Sequence, residues 1–273
     1  MIQDILPHHF DNAYKNIAPS LESRIMCFEG ESLYVHYDEE RKELSFPLHE
    51  ETKARETIYL FSIDEATYFY SRDRISCEGY DLYSMRELRG LELKENKDIF
   101  AIYSAYHLCK WYQANVYCGA CANKLVHDTK ERALICPVCG QHIYPRINPA
   151  VIVGVTNGDK ILLTKYKAGF AHNALVAGFT EFGETLEETV IREVKEETGL
   201  KVKNIRYYKS QPWGVAADIL AGFYCEVDGD DMIKMDTNEL KYAAWVKRED
   251  IILQPKEYSL TNEMMLRFKE GKE

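Results

Sequence analysis

Short runs in which apolar and polar residues alternate fill the first third of the chain: Ser32-Leu-Tyr-Val-His-Tyr37, Glu43-Leu-Ser-Phe46 and Thr57-Ile-Tyr-Leu-Phe-Ser62. A period of two puts successive side chains on opposite faces, so these runs predict a meander of short strands and a β-rich domain over residues 1–97. The many tyrosines there suit half-buried sheet positions, and no cluster of catalytic residue types accompanies them. After the charged turn Lys94-Glu-Asn-Lys-Asp98 the period changes: Ile99, Ile102, Tyr103, Tyr106 and Cys109 predict a helix to about Tyr112. Past residue 144 the short period returns. Pro149–Val155 and Lys160–Thr164, joined across Asn157-Gly158, predict a hairpin. A loop rich in Ala and Gly, a helix from about Thr185 to Thr198, strands near Asn204–Ser210, Ile219–Val227 and Tyr242–Lys247, and a closing helix near Ser259–Glu270 follow. Mixed strands with two helices predict a layered α/β domain over residues 145–273.

Composition narrows the class. With 273 residues, 46% of them hydrophobic, the chain can fold as more than one packed domain. Against 34 Lys and Arg stand 44 Asp and Glu, a net charge of −10 that disfavours general coating of nucleic acid. No apolar stretch approaches the roughly 20 residues of a spanning helix, and the first residues lack a secretory pattern, so a soluble, cytoplasmic protein with no membrane partner is expected.

Four of the eight cysteines form two tight pairs, Cys118-Gly-Ala-Cys121 and Cys136-Pro-Val-Cys139. Two such turns aim four thiolates at one point, a soft tetrahedral donor set that suits structural Zn²⁺ with no open position. With the preceding helix this predicts a zinc ribbon within residues 98–144. The scattered Cys27, Cys77, Cys109 and Cys225 suit small core positions.

The chemistry concentrates between Gly178 and Leu200. Thr185 and Glu188 have capping-box spacing, Gly199 sits at the left-handed C-terminal position, and Leu186, Val190 and Val194 form an apolar stripe. Glu193, Glu196 and Glu197 stand at i, i+3 and i+4, where they form either a solvated acidic face or half of a site for a hard divalent cation such as Mg²⁺ or Mn²⁺.

This stretch, Gly178-x5-Glu184-x7-Arg192-Glu193-Val-x-Glu196-Glu197-x-Gly199-Leu200, matches without a gap the signature of the Nudix hydrolases, which the chain therefore resembles. The resemblance implies an α/β/α sandwich with a mixed sheet that hydrolyses nucleoside diphosphates linked to another group. It also implies Glu193, Glu196 and Glu197 as metal ligands, Glu184 supporting the metal shell, and Arg192 orienting the carboxylates. Arg192 equally suits an ion pair with Glu188 four residues earlier. A zinc ribbon ahead of the domain, Tyr144-Pro-Arg-Ile-Asn-Pro149, and Ser210-Gln-Pro-Trp213 are similar to the NADH pyrophosphatase branch. The second half of that branch's S-Q-P-W-P-F-P-x-S motif is replaced by Gly214, Val215 and Ala216, with Asp218 at its last position. These changes predict a more flexible and more acidic loop.

The resemblance further implies hydrolysis of NAD(H) to nicotinamide mononucleotide and AMP, with NAD-capped RNA as a further substrate and a homodimer as the working unit. Glu239 corresponds to an acidic residue near the metals, or is a solvated glutamate. Phe179, Tyr144 and Trp213 correspond to pocket positions that stack on the substrate, or to core aromatics. Gln211 either hydrogen-bonds the ligand or satisfies a strand end. Two other readings stand beside this one: a pyrophosphatase for ADP-ribose or another nucleoside diphosphate derivative, and a catalytically silent nucleotide-binding regulator.

Overall fold

The computed structural model describes residues 1–73, 75, 78–167, 172–255 and 258–273. Cys77 and part of the Ala- and Gly-containing loop after Tyr166 lie outside the described residues. The chain divides into two compact units, one of residues 3–146 and 214–217, the other of residues 1–2, 147–213 and 218–273.

The first unit is β-rich at its start, and among the described residues its strands before residue 91 fall into two four-stranded sheets. One has the order β1 (Phe10–Asp11), β6 (Thr57–Ile63), β7 (Ala66–Ser71), β2 (Arg24–Met26). The other joins β3 (Phe28–Glu29), β4 (Ser32–Asp38) and β5 (Glu43–Ser45), with β8 (Asp81–Ser84) also on β4. Alternation predicts the strands but not this partition. β2 runs parallel to β7, so a simple meander is not the topology. Two short helices, α1 (His49–Thr52) and α2 (Met85–Gly90), interrupt the strands.

Helix α3 (Asn96–Ala114) begins inside the predicted charged turn, because Asp98 is buried in its first turn rather than solvated. Ile99, Phe100, Ile102, Tyr103, Tyr106, Trp111 and Tyr112 are all buried, the pattern of a helix enclosed on most sides. After it come three two-residue strands, β9 (Val126–His127), β10 (Leu134–Ile135) and β11 (His142–Ile143), paired antiparallel in the order β11-β10-β9.

The second unit is built on one mixed sheet. β12 (Asn148–Asn157) lies parallel to β16 (Asp218–Val227) and antiparallel to both β13 (Lys160–Tyr166) and β14 (Val176–Phe179). β15 (Val202–Trp213) and β17 (Leu240–Lys247) close the two edges. The β12–β13 turn consists of Gly158 and Asp159, one residue later than predicted, with Gly158 at φ +61° in the left-handed region.

Alternation along β12 explains the layers. Val151, Val153 and Val155 pack with Val190 and Val194 of α4 (Leu186–Thr198), while Ile152 packs with Leu260 and Met264 of α5 (Leu260–Lys269). A helix on each face makes the α/β/α sandwich, and each fully buried aliphatic side chain contributes about 1.5–3 kcal/mol to holding it. Among the described residues no helix is long and apolar enough to cross a membrane.

Candidate functional site

Helix α4 is fixed at both ends as its sequence predicts. Thr185 Oγ1 accepts from Glu188 N at 3.2 Å, Thr185 N donates to Glu188 Oε2 at 2.8 Å, and Gly199 takes φ +72°. The capping box occupies Glu188, so the Glu188–Arg192 ion pair open from spacing is not formed.

Anchoring of Val190 and Val194 in the sheet places the neighbouring stripe, Thr189, Glu193 and Glu197, along the strand ends. Thr189 and Glu197 are buried, at 0% and 2% exposure, whereas the Glu196 side chain is 60% exposed. With the Glu193 side chain at 13% exposure, the three carboxylates of this one helix occupy three different environments.

Arg192 organises the exposed half of the cluster. Its Nε and Nη2 donate to Glu184 Oε1 and Oε2 at 2.5 and 2.9 Å, and Nη1 donates to Glu193 Oε1 at 2.7 Å and Glu196 Oε2 at 3.0 Å. A further bond from Nη2 to Phe179 O, 2.8 Å, ties the guanidinium to β14. Glu184 also accepts from Glu181 N and Thr189 Oγ1, both at 3.0 Å. These donors, Arg192 first, hold its carboxyl down to about 2. Glu184 is therefore committed to the arginine, and the planar fork holds it bidentately.

The buried half follows a different logic. Glu197 Oε1 accepts from the Tyr166 hydroxyl at 3.0 Å, while Oε2 has no hydrogen-bond partner among the described residues. Burial pushes its carboxyl up to about 8, with the nearby charge of Glu193 adding to the effect. Burial likewise raises Glu193. Glu193 lies flat against β14, where a Cβ on Gly178 would stand 2.0 Å from its carboxyl carbon, so only glycine leaves room for the carboxylate there. Tyr166 is a residue that the sequence reading misses. The signal was strand parity, since Tyr166 shares a face with Leu162, which packs on the α4 side.

Glu239 precedes β17, with its carbonyl accepting from Lys167 N at 2.9 Å and its side chain exposed. Its charge nonetheless lies close enough to raise both Glu193 and Glu197. An orphaned buried oxygen, a glycine-floored carboxylate and a third acid at the rim fit a hard divalent cation, which would satisfy Glu197 Oε2 and relieve the mutual repulsion.

The aromatic and amide candidates separate. Phe179 follows Gly178 and is 51% exposed, which excludes a core role. Trp213 ends β15 opposite Asp218. Tyr144, also exposed, belongs to the first unit and donates its hydroxyl to Glu131 Oε1 at 2.8 Å. Gln211 is fully buried, donating to Tyr258 O at 2.6 Å and accepting from Leu260 N at 2.8 Å, so its amide is engaged by the backbone.

The altered motif also differs from expectation. Gly214 adds no looseness, because a Cβ there would stand 2.0 Å from Tyr103 O, and the close approach requires glycine. Asp218 does not lie in the loop. It opens β16 at 6% exposure, with Oδ1 unpartnered among the described residues, and burial pushes its carboxyl up to about 6.

In the first unit the sulfurs of Cys118, Cys121, Cys136 and Cys139 lie within 4.8 Å of one another, with Cys118 and Cys139 at 3.6 Å and Cys121 and Cys136 at 3.4 Å. Four sulfurs about 2.3 Å from one zinc ion would be spaced by nearly these distances. Asn123 Nδ2 lies 3.4 Å from Cys121 Sγ, and this donor leads the causes that lower the Cys121 thiol to about 6, favouring the thiolate a metal needs. Cys27, Cys109 and Cys225 are buried, as small core residues.

Parts of the chain are similar to known proteins. The NUDIX domain family model matches residues 146–268. A protein of Escherichia fergusonii described as the NAD-capped RNA hydrolase NudC is 36% identical over 180 residues, covering 64% of this chain and 67% of that protein. Its namesake in Escherichia coli O9:H4 is 40% identical over 151 residues, covering 54% of this chain and 58% of that relative. The latter match thus spans less than two thirds of the relative's length. Among solved structures, a NUDIX hydrolase from Nitrosomonas europaea superposes with a TM-score of 0.51 at 21% identity, covering 57% of this chain and 91% of that one, a likeness of fold.

Proposed function

The chain belongs to the Nudix hydrolase family, in its NADH pyrophosphatase branch, and on that premise we propose that it hydrolyses the pyrophosphate of NAD(H) to nicotinamide mononucleotide and AMP and removes NAD caps from RNA. The observation that carries this reading is Glu197, a carboxylate buried beside Glu193 with one oxygen orphaned. Such an arrangement is costly unless a cation completes it.

Glu193, Glu196, Glu197 and Glu239 are the residues to hold Mg²⁺ or Mn²⁺. When bound, the cation supplies neutralisation of pyrophosphate charge and a more acidic water as nucleophile. Glu184 acts at one remove, by fixing Arg192, which in turn holds Glu193 and Glu196 in register. The exposed Phe179 ring suits stacking on a flat heterocycle, with Trp213 as a further aromatic candidate in the same unit. Water adds to one phosphorus as the bridging oxygen leaves with the other, so one water is consumed for each pair of mononucleotides. In the first unit the four cysteines are the residues to hold Zn²⁺, in a structural role. A homodimer is the expected assembly, and light scattering measures it.

The test is product analysis with NADH, NAD⁺ and ADP-ribose, each with Mg²⁺ or Mn²⁺, beside Glu197→Gln. Nicotinamide mononucleotide plus AMP, lost in the variant, is the expected outcome. Cleavage of ADP-ribose alone would retain the chemistry and overturn the nicotinamide specificity. No metal-dependent cleavage at all would favour the silent regulator.

A further inference from the structure

A cavity of 470 Å³ within the first unit lies apart from the carboxylate cluster in both lining and charge. Its walls include His107, Lys110 and Trp111 of α3, Tyr144 and Arg146 of the segment leading out of β11, and Ala217. Two features mark it as built for an anion that also carries flat rings.

The first is charge. Neither Lys110 nor Arg146 forms an ion pair among the described residues, and no carboxylate lines the cavity, although the whole chain carries −10. Glu131, which does not line the cavity, is held by the Tyr144 hydroxyl at 2.8 Å. Two uncompensated cations converging on one cavity of an acidic protein make a local positive field. The second is rigidity. His107 Nε2 lies 2.8 Å from Arg146 O, pinning the backbone that carries the guanidinium to α3. Trp111 is buried at 7% exposure and Tyr144 is half exposed, so aromatic surface is held beside the cations. The packing of Gly214 on Tyr103 fixes the turn that brings Ala217 to the rim.

Phosphates spaced between bases are the ligand that meets both features. Cations track the backbone, and rings accept bases by stacking without regard to sequence. We propose that this cavity binds the single-stranded RNA body that follows the 5′ end, so that Lys110 and Arg146 set the preference for capped RNA over the free dinucleotide. The proposal rests on the decapping half of the functional reading. Its binding arm can be measured without any hydrolysis.

The experiment compares the full-length protein with the double variant Lys110→Gln/Arg146→Gln. The probe is a fluorescent ten-nucleotide single-stranded RNA bearing a 5′ monophosphate and no cap, titrated by anisotropy at increasing salt. The expected result is an affinity loss of about tenfold, with the salt slope flattened by about 1.4 for two lost phosphate contacts. The same strand made abasic should bind the wild type more weakly, since stacking contributes. In parallel, kcat/KM for NAD-capped RNA should fall by about the same factor while that for NADH stays within about twofold.

Unchanged RNA affinity and slope in the double variant would overturn the proposal, as would equal binding of the abasic strand. So would an equal fall for NADH and capped RNA. A wild type that binds the strand through Lys110 and Arg146 but cleaves neither substrate would sink the functional reading and leave the RNA contact standing. Conversely, cleavage of NADH without strand binding would sink only this proposal.

Discussion

The four thiols and the four carboxylates are both clusters of like groups at fixed spacing, yet they are built in opposite ways. The sulfurs are donors of one chemical kind in close mutual approach, an arrangement that closes on itself. The carboxylates are unequal. Glu184 is committed to Arg192, Glu196 is open to solvent, and Glu197 is buried with an unmet oxygen. A closed set of identical donors stabilises a fold, whereas an open set of graded donors leaves positions for substrate and water. Chemistry follows from the inequality, not from the number of ligands.

Substitution in each cluster should separate those roles. Cys136→Ser removes a buried donor from the closed set. The expected outcome is loss of bound zinc, from about one ion per chain to none, with collapse of the β9-β10-β11 module, because structural zinc contributes on the order of 10 kcal/mol to such segments. Metal content and amide exchange over residues 114–144 measure both. Retention of zinc together with native protection would break the comparison.

Next in size is Glu197→Gln. The open set should lose turnover by about 10³-fold, on the scale of other electrostatic catalytic groups, while the metal-free protein should melt no lower than the wild type. Removing an ionisable group from a buried site relieves its desolvation, so the two readouts move apart. A variant that loses activity and stability together would indicate a structural carboxylate.

Gly178→Ala tests the floor of the open set alone. The added Cβ meets the far end of Glu193 rather than backbone, so the side chain can swing away at small cost in stability. Turnover should fall about 10- to 100-fold with Tm nearly unchanged, reflecting a misplaced ligand.

Much of this inequality was invisible in the sequence. The box helix was legible to its caps, because Thr185, Glu188 and Gly199 act through local geometry. The cysteine module was legible from spacing for the same reason. Which glutamate would be buried was not, since i, i+3 and i+4 describe only the helix, and burial depends on the strands that carry Tyr166 and Gly178. The choice between the two roles of Gln211 and the rigidity at Gly214 were hidden for a related cause. The partners of these two residues, Tyr258, Leu260 and Tyr103, are far away in sequence and near only in the fold. The partition of the strands ahead of α3 into two sheets was hidden likewise, because alternation specifies a face but not a neighbour.

Asp218 gives the smallest expected effect and the cleanest pH test, since it lies outside both clusters. Burial raises its carboxyl from 3.8 to about 6, and Asn148, which hydrogen-bonds the side chain, only partly offsets that. A raised carboxyl means that the folded state binds the proton more tightly than the unfolded chain does. Its cost is therefore absent below about pH 3.8, grows as pH rises, and is fully present above about pH 6. Asp218→Asn keeps the shape and cannot ionise. It should be more stable than the wild type by on the order of 2 kcal/mol at pH 7.5 and equal to it near pH 4, as read from urea unfolding at each pH. An unchanged difference across that range would mean that the carboxyl is solvated in solution. Loss of stability at pH 7.5 would mean that the charged form makes a contact that favours it. The first result would restore the exposed acidic charge that the sequence position of Asp218 predicts.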